Sequence, residues 1–373
     1  MPLLLETEVR SLLDTLRVSV PTTKDQVRAV LLNRKRDNLL NNRQKLKRLE
    51  GRALSLMRRV DYSNIKPRLA HVSPKDKPLW DYIRQCVSST PYGGRVGRVS
   101  CLWCMDSVSG GIMGIVEICS DMMILPPRDR HIGWTQAHRS GGKLNHVANV
   151  GTCVCVQPFG TLCGGKFQIV AASSSFVSDL WEQRYGDRLV ALCTTSLYGE
   201  SSIYNRIKEW SYLGNTIGQG IFHLDNTGYK LLQRFLRSNK MTARTGGTNI
   251  DPTSRQDTIN KVCNVLKIDR ESISSHQPRG VYWCEVVPNA SAFLRGETDT
   301  TTRNTRPQEA VCEWWLDRWY RMRLPKKEAE ISAFDWTTYK VDNQIDLCVG
   351  SADSGTSVVQ TGRAGASPDP TLL

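Results

Sequence analysis

The chain has 373 residues, 40% of them hydrophobic, enough to bury a full core and long enough for two domains or one domain with large appendages. Lys and Arg outnumber Asp and Glu by 50 to 36, a formal +14 that suits a polyanionic partner such as nucleic acid. No run approaches the roughly 18 uninterrupted apolar residues of a membrane span, and Met1-Pro2-Leu3-Leu4-Leu5-Glu6 lacks the basic start and apolar length of a signal peptide, so a cytoplasmic protein with no membrane partner is expected.

Residues 1–60 form a basic, helical N-terminal segment. Thr23 to Met57 holds no proline, and Leu32, Leu39, Leu46 and Ala53 recur every seven residues, with Leu49 and Leu56 widening the stripe. The polar face carries Arg34, Lys35, Arg36, Arg43, Lys45, Lys47, Arg48 and Arg52. From Arg34 to Arg59, ten basic residues meet only Asp37 and Glu50. Such a face is either solvated or seated on an anion, because neighbouring cations without acids repel one another unless phosphate or anionic lipid screens them. Arg34, Lys35, Arg36, Arg43, Lys45, Lys47 and Arg48 are the nucleic-acid-binding candidates.

Residues 61–97 change character: Pro67, Pro74, Pro78, Pro91 and Gly93-Gly94 predict a linker or irregular layer. A core over 98–290 follows. Val99 to Trp103 and Gly114 to Ile118 read as a hairpin across Ser109-Gly110-Gly111. Pro126-Pro127 should keep the next segment from being helical while it gathers Arg128, Asp129, Arg130 and His131. Cys153 to Val156 reads as a buried strand, Pro158 to Lys166 as a Gly-rich loop, Phe167 to Tyr185 as a helix and Leu189 to Cys193 as a returning strand: a βαβ unit. Ser201 to Tyr212, Asn226 to Asn239 and Ser254 to Ile268 read as helices, and Gly280 to Val287 as a strand closed by Pro288. In the C-terminal extension, 291–349, a Thr-rich connector leads to a helix from Glu309 to Arg323 with Trp315 and Trp319 four apart; 350–373 is expected to be disordered.

Three groups of side chains carry chemistry. Arg130 could hold phosphate or carboxylate bidentately while Asp129 or His131 moves a proton; the alternative is an Arg–Asp pair pinning a loop over a core Trp134. Gly160, Gly164, Gly165 and Lys166 surround a strand-to-helix turn whose free amides could cradle an anion, and aspartate at Gly164 or Gly165 should then repel the ligand without unfolding the chain. Glu200 and Tyr204 stand just beyond a strand end, where ligands collect in open sheets. Cys101-Leu-Trp-Cys104 and the Cys153, Cys155, Cys163 group find no second C-x-x-C or His pair to complete a zinc site, and the other cysteines are scattered singly, as in a reducing compartment. There is no G-x-x-x-x-G-K-[ST], H-x-E with P-C-x-x-C, or H-E-x-x-H, so nucleotide hydrolysis, deamination and zinc proteolysis have no local signature.

Four blocks, Arg128 to Trp134, Trp181-Glu-Gln-Arg-Tyr185-Gly186, Thr194 to Ser202 and Leu213 to Gly220, resemble the DruA family, named for the Druantia anti-phage system and found also in phage and transposon-associated proteins. The resemblance implies a DNA-associated protein of a phage, mobile element or defence system, acting on or with nucleic acid beside a helicase or other system proteins. It carries over onto Asp129, Arg130, Gly133 and Trp134. Many DruA-like chains have an acidic residue where Cys193 stands, which leaves Glu200 as the nearest carboxylate. The strand, loop, helix, strand order is also similar to the core of GNAT-type acyltransferases, in which a loop holds the cofactor's pyrophosphate at a helix N-terminus. That implies an α+β fold with a GNAT-like mixed sheet flanked by helices, acyl-CoA as cofactor, transfer to a base, nucleotide or protein, and Tyr204 beside the leaving thiolate. The glycine spacing here differs from that loop, and no Arg or Gln leads it. The expected catalytic set is Asp129, Arg130, Glu200 and Tyr204 in one cleft.

Overall fold

The computed structural model describes residues 2–92, 97–197, 199–216, 219–221, 223–239 and 255–353. Gly93-Gly94, Tyr198, Ile217, Gly218 and most of the expected tail, 354–373, lie outside the described residues. The chain divides into two compact units, one of Met1–Val30 with Ile217–Pro278, the other of Leu31–Thr216 with Arg279–Leu373. These cut the chain differently from the five-part division expected along the sequence.

The smaller unit packs α1 (Pro2–Val18), α8 (Asn226–Ser238) and α9 (Arg255–Leu266) beside a two-stranded pair, β7 (Gln219–Gly220) and β8 (Ser275–His276). Val9, Leu13 and Leu16 meet Leu232, Phe235 and Leu236, then Val262, Cys263 and Leu266. Each set recurs at three- and four-residue spacing, which puts it on one helix face. The carboxylate of Asp225 caps α8 by accepting from the Gly228 N–H at 2.7 Å.

The larger unit is built on seven strands, β1 (Pro67–His71), β2 (Val99–Asp106), β3 (Ile112–Ser120), β4 (Val147–Cys155), β5 (Ala191–Ser196), β6 (Ser211–Asn215) and β9 (Gly280–Glu285), in the order β1-β2-β3-β4-β5-β9-β6. Only β4 and β5 pair in parallel, over Val147–Asn149 and Ala191–Cys193. One face of the sheet, including Leu102, Cys104, Val116, Val150, Leu192 and Tyr282, packs on α6 (Gly164–Ala172), α7 (Ser175–Tyr185) and α11 (Gln308–Trp315) through Phe167, Trp181 and Trp315. The other face presents Cys101, Trp103 and Ile115 to α2 (Lys24–Arg58) and α3 (Lys77–Cys86), and Val147, Cys193 and Trp283 to α4 (Pro126–Ile132) and α10 (Ala290–Leu294). The α+β class and the mixed sheet flanked by helices agree with the sequence reading. So do α2, whose Leu39, Leu46 and Ala53 are fully buried, and the β2–β3 hairpin.

Four local expectations are corrected. Residues 61–97 hold β1 and α3, with Pro67 as the first strand residue and Pro78 in the first turn of the helix, the positions where a missing N–H costs nothing. The helix expected from Phe167 to Tyr185 is two, because Ser173 and Ser174 turn their hydroxyls back onto Val170 O (2.7 Å) and Ala171 O (2.6 Å). Ser201 to Tyr212 forms turns and then β6, with Tyr204, Ile207 and Trp210 anchored in the sheet core. The C-terminal helix runs past Arg323: a π-helical turn at Leu316–Tyr320 joins α11 to α12 (Arg321–Ser332), and α13 (Val341–Asp353) follows. Between α4 and β4 lies a short α5 (Gln136–Ser140).

Candidate functional site

Beyond β3 the chain turns at Asp121 and enters α4. Pro126 and Pro127 open this helix instead of preventing it, since the first turn needs no N–H partner, and Gly133 closes it at φ 80°. Arg128 is fully buried. Its Nη1 donates to Asp121 Oδ2 at 2.6 Å and Met122 O at 2.7 Å; its Nη2 donates to Asp129 Oδ1 at 2.6 Å and Met123 O at 3.3 Å; its Nε reaches Asp129 Oδ1 at 2.9 Å. Asp129 Oδ2 accepts from Leu125 N–H and Arg139, and Asp121 Oδ1 from Met122 N–H and Asn149. The Trp134 ring lies 5.1 Å from the guanidinium and donates its indole N–H to Leu294 O. This is the loop-pinning arrangement, and its cation is Arg128. Arg130 and His131 stand exposed. Sequence reasoning missed Asp121, whose signal was a lone acid directly after an apolar strand.

The same face of the sheet carries further buried polar groups. Glu117, fully buried on β3, stands opposite Cys101 and Thr152, and the Thr152 hydroxyl accepts from Arg84 Nε at 3.2 Å. Cys193, at the place where an acid was expected by resemblance, lies beside Asp121 and Arg128. Burial first and then the Asp121 charge push its thiol well above the ordinary range, which makes it a packing group and not a nucleophile.

On the opposite face, the crossover loop between β4 and α6 is shaped by packing. A Cβ on Gly164 would lie 2.2 Å from the Phe159 ring, and one on Gly160 2.7 Å from the Gln157 side chain, whereas Gly165 has nothing nearer than Ile203 at 3.8 Å. The Lys166 ammonium reaches the carbonyls of Ser202 and Ile203 and lies 5.8 Å from the Trp319 ring. Burial, with lesser contributions from Arg206 and Arg323, lowers its pKa. Arg323 donates to Thr161 O at 3.3 Å. The thiols of Cys153 and Cys155 point to Gln168 Oε1 at 3.1 and 3.4 Å.

Tyr204 is a core group. It stacks on Tyr282 at 4.4 Å and meets Trp210 at 5.6 Å, and burial pushes its phenol up. Glu200 is exposed, 3.5 Å from Asn205 Nδ2. Tyr282 and Trp283 alternate along β9, so Tyr204 lies on one face of the sheet and α4, packed with Trp283, on the other. Asp129 and Tyr204 therefore do not share a cleft.

The cations of α2 separate into four kinds. Lys35 does not belong to the exposed face: it is buried, donates to Cys86 O at 3.1 Å and Gln344 Oε1 at 2.6 Å, and burial lowers its pKa. Arg43 and Lys47 clasp the two oxygens of Asp342 on α13, each at 2.9 Å, and their hydrogen bonds pull that carboxyl down to about 2. The bridge is complete above the ordinary carboxylate range and weakens only as pH falls toward about 2. Arg34 is half-buried, and burial lowers its pKa. Arg36, Lys45 and Arg48 are exposed and have no ion-pair partner among the described residues.

In class, then, the larger unit is a mixed-sheet α+β protein braced by a buried arginine–carboxylate network and carrying exposed cations on α2. The model of the family described as Druantia protein DruA matches residues 21–296, and the chain belongs to that family. Druantia protein DruA of Escherichia coli (strain UMEA 4076-1) is 28% identical over 253 residues, covering 62% of each protein, so the chain spans less than two thirds of that relative's length. No solved structure matches. No helix among the described residues is long and apolar enough to cross a membrane.

Proposed function

We propose that this chain is a nucleic-acid-binding component of a Druantia-like anti-phage defence system, working beside other proteins of that system, and that it grips phosphate through α2. The observation that carries this reading is the set of exposed cations on α2, with Lys45 and Arg48 neighbours three apart and Arg36 farther along on another side, none with an ion-pair partner among the described residues, on a helix whose remaining face is locked into the core. Exposed like charges without acids beside them are favourable when phosphates replace the missing acids and counterions leave. The Ala triple variant at Arg36, Lys45 and Arg48 should lower the slope of log K against log salt by about 0.7 to 0.9 per lost phosphate contact. Asp342→Asn should act oppositely, because it releases Arg43 and Lys47 and tightens binding. Unchanged affinity and slope for single- and double-stranded DNA in both variants would withdraw the assignment.

A second reading rests on the parallel pair. β4 and β5 are in register for three residues, after which β4 runs on to Cys155 and feeds the loop at the α6 N-terminus, near Lys166, Arg206 and Arg323. A loop so placed suits the pyrophosphate of an acyl-CoA in a GNAT-like core. Isothermal titration with CoA and acetyl-CoA decides it: heat that Arg323→Ala removes supports a transferase, and no heat from either compound removes it.

A further inference from the structure

The Lys166 ammonium of α6 reaches across to the carbonyls of Ser202 and Ile203, in the turns that follow β5, and lies 5.8 Å from the Trp319 ring. Trp319 in turn meets Trp314 edge to face at 5.0 Å. Arg323 is tied to the loop before α6 by its bond to Thr161 O at 3.3 Å, and the positive charges that act on Lys166 are those of Arg206 and Arg323. Three cations thus gather at one loop, and none of them has an ion-pair partner among the described residues. Arg306, 6.0 Å from the Trp314 ring, is by contrast held by Glu209 at 2.6 Å. Burial, then repulsion by the two guanidiniums, lowers the Lys166 pKa, as expected of a cation whose counter-charge the chain does not supply. Trp314 is only partly buried and Ile203, Arg206 and Arg323 are exposed, so the cluster opens to water.

We propose that this cluster binds single-stranded nucleic acid, with a base stacked against Trp314 and the adjoining phosphates on Lys166, Arg206 and Arg323. Unpaired cations with an aromatic side chain among them match the two halves of a nucleotide: phosphate supplies the missing counter-charge, and the ring takes the face of the base. A duplex keeps its bases stacked inside, so only an unpaired base reaches the ring. The cluster lies on the sheet face that carries α6 and α11, whereas α2 packs on the other, which makes it a second surface and not an extension of the α2 cations. The assignment rests on the nucleic-acid reading above and adds to it the form of the substrate. It also gives to a strand the loop that an acyl-CoA would occupy, so the two exclude one another.

The test uses the full chain with a short oligothymidylate and with a strand of equal charge in which abasic spacers replace the bases. Wild type should prefer the oligothymidylate by roughly tenfold, the worth of one stacked base. Trp314→Ala should bind both strands alike with the wild-type salt slope, while Trp314→Phe, which keeps a ring in place, should retain the preference. Arg206→Gln/Arg323→Gln should keep its melting temperature, lower the slope for the single strand by about 1.4, at about 0.7 per contact, and leave duplex binding through α2 unchanged. An unchanged slope in this double variant, with strand binding lost instead when Arg36, Lys45 and Arg48 are replaced, overturns the site and leaves the nucleic-acid reading standing. Equal affinity of wild type for the two strands also overturns it. No binding to any strand or duplex overturns both. If CoA displaces the strand and gives heat that the double variant lacks, the loop belongs to a cofactor nucleotide and the strand assignment is overturned.

Discussion

Replacing Arg128 with alanine is expected to destabilise the larger unit by about 3 to 5 kcal/mol, the cost of stranding buried carboxylates without their cation. Both Asp121 and Asp129 lose their strongest donor at once, and two carbonyls lose theirs. Arg128→Lys should fare little better, because one ammonium cannot span two carboxylates and two carbonyls that a planar fork reaches together. Removing the acids as well, in Arg128→Met/Asp121→Asn/Asp129→Asn, should recover part of the loss, since the penalty lies mostly in the unpaired groups. Arg130→Ala, one position from the buried acid, should stay within about 0.5 kcal/mol. Urea unfolding of the set separates the possibilities: Arg128→Ala with wild-type stability would mean the network is not closed. Asp129→Asn with intact stability and abolished phage restriction would return that carboxylate to a chemical role.

What the sequence disclosed and what it hid follow from range. The heptad of α2 and the hairpin of β2 and β3 depend on neighbours a few residues away, so periodicity and a Gly pair suffice to place them. Lys35 was indistinguishable from its neighbours because the acceptor that buries it, Gln344, lies 309 positions on; Asp342, which neutralises Arg43, lies 299 on. No local pattern reports such partners. Prolines misled in the other direction: Pro67, Pro78, Pro126 and Pro127 all stand at the first or second position of an element, where they are tolerated, and density alone made them look like breakers. The family blocks drew attention to the loop around Asp129, but its bracing rests on Arg128, whose fork only the folded chain shows engaged on every side.

Gly164→Ala is expected to cost about 1 to 3 kcal/mol while Gly165→Ala stays near neutral or stabilises slightly, although the two glycines are adjacent and open the same helix. The difference is the Phe159 ring, which a Cβ on Gly164 would meet at 2.2 Å and cannot push aside, because Phe167 and Trp315 hold it at centroid distances of 6.2 and 5.4 Å. At Gly165 the nearest atoms are 3.8 and 3.9 Å away, ordinary contact distances. Gly164→Asp adds an unpaired carboxylate to the clash, so aspartate is expected to leave the fold intact at Gly165 alone. Gly165→Asp is the useful probe: a carboxylate in the first turn of α6 suits the helix dipole and should leave melting unchanged, yet it would repel CoA or phosphate from the loop. Thermal unfolding of the four variants, followed by titration of the folded ones, separates packing from binding. Gly164→Ala melting with wild type would show that Phe159 can swing away and that the loop is looser than its packing implies.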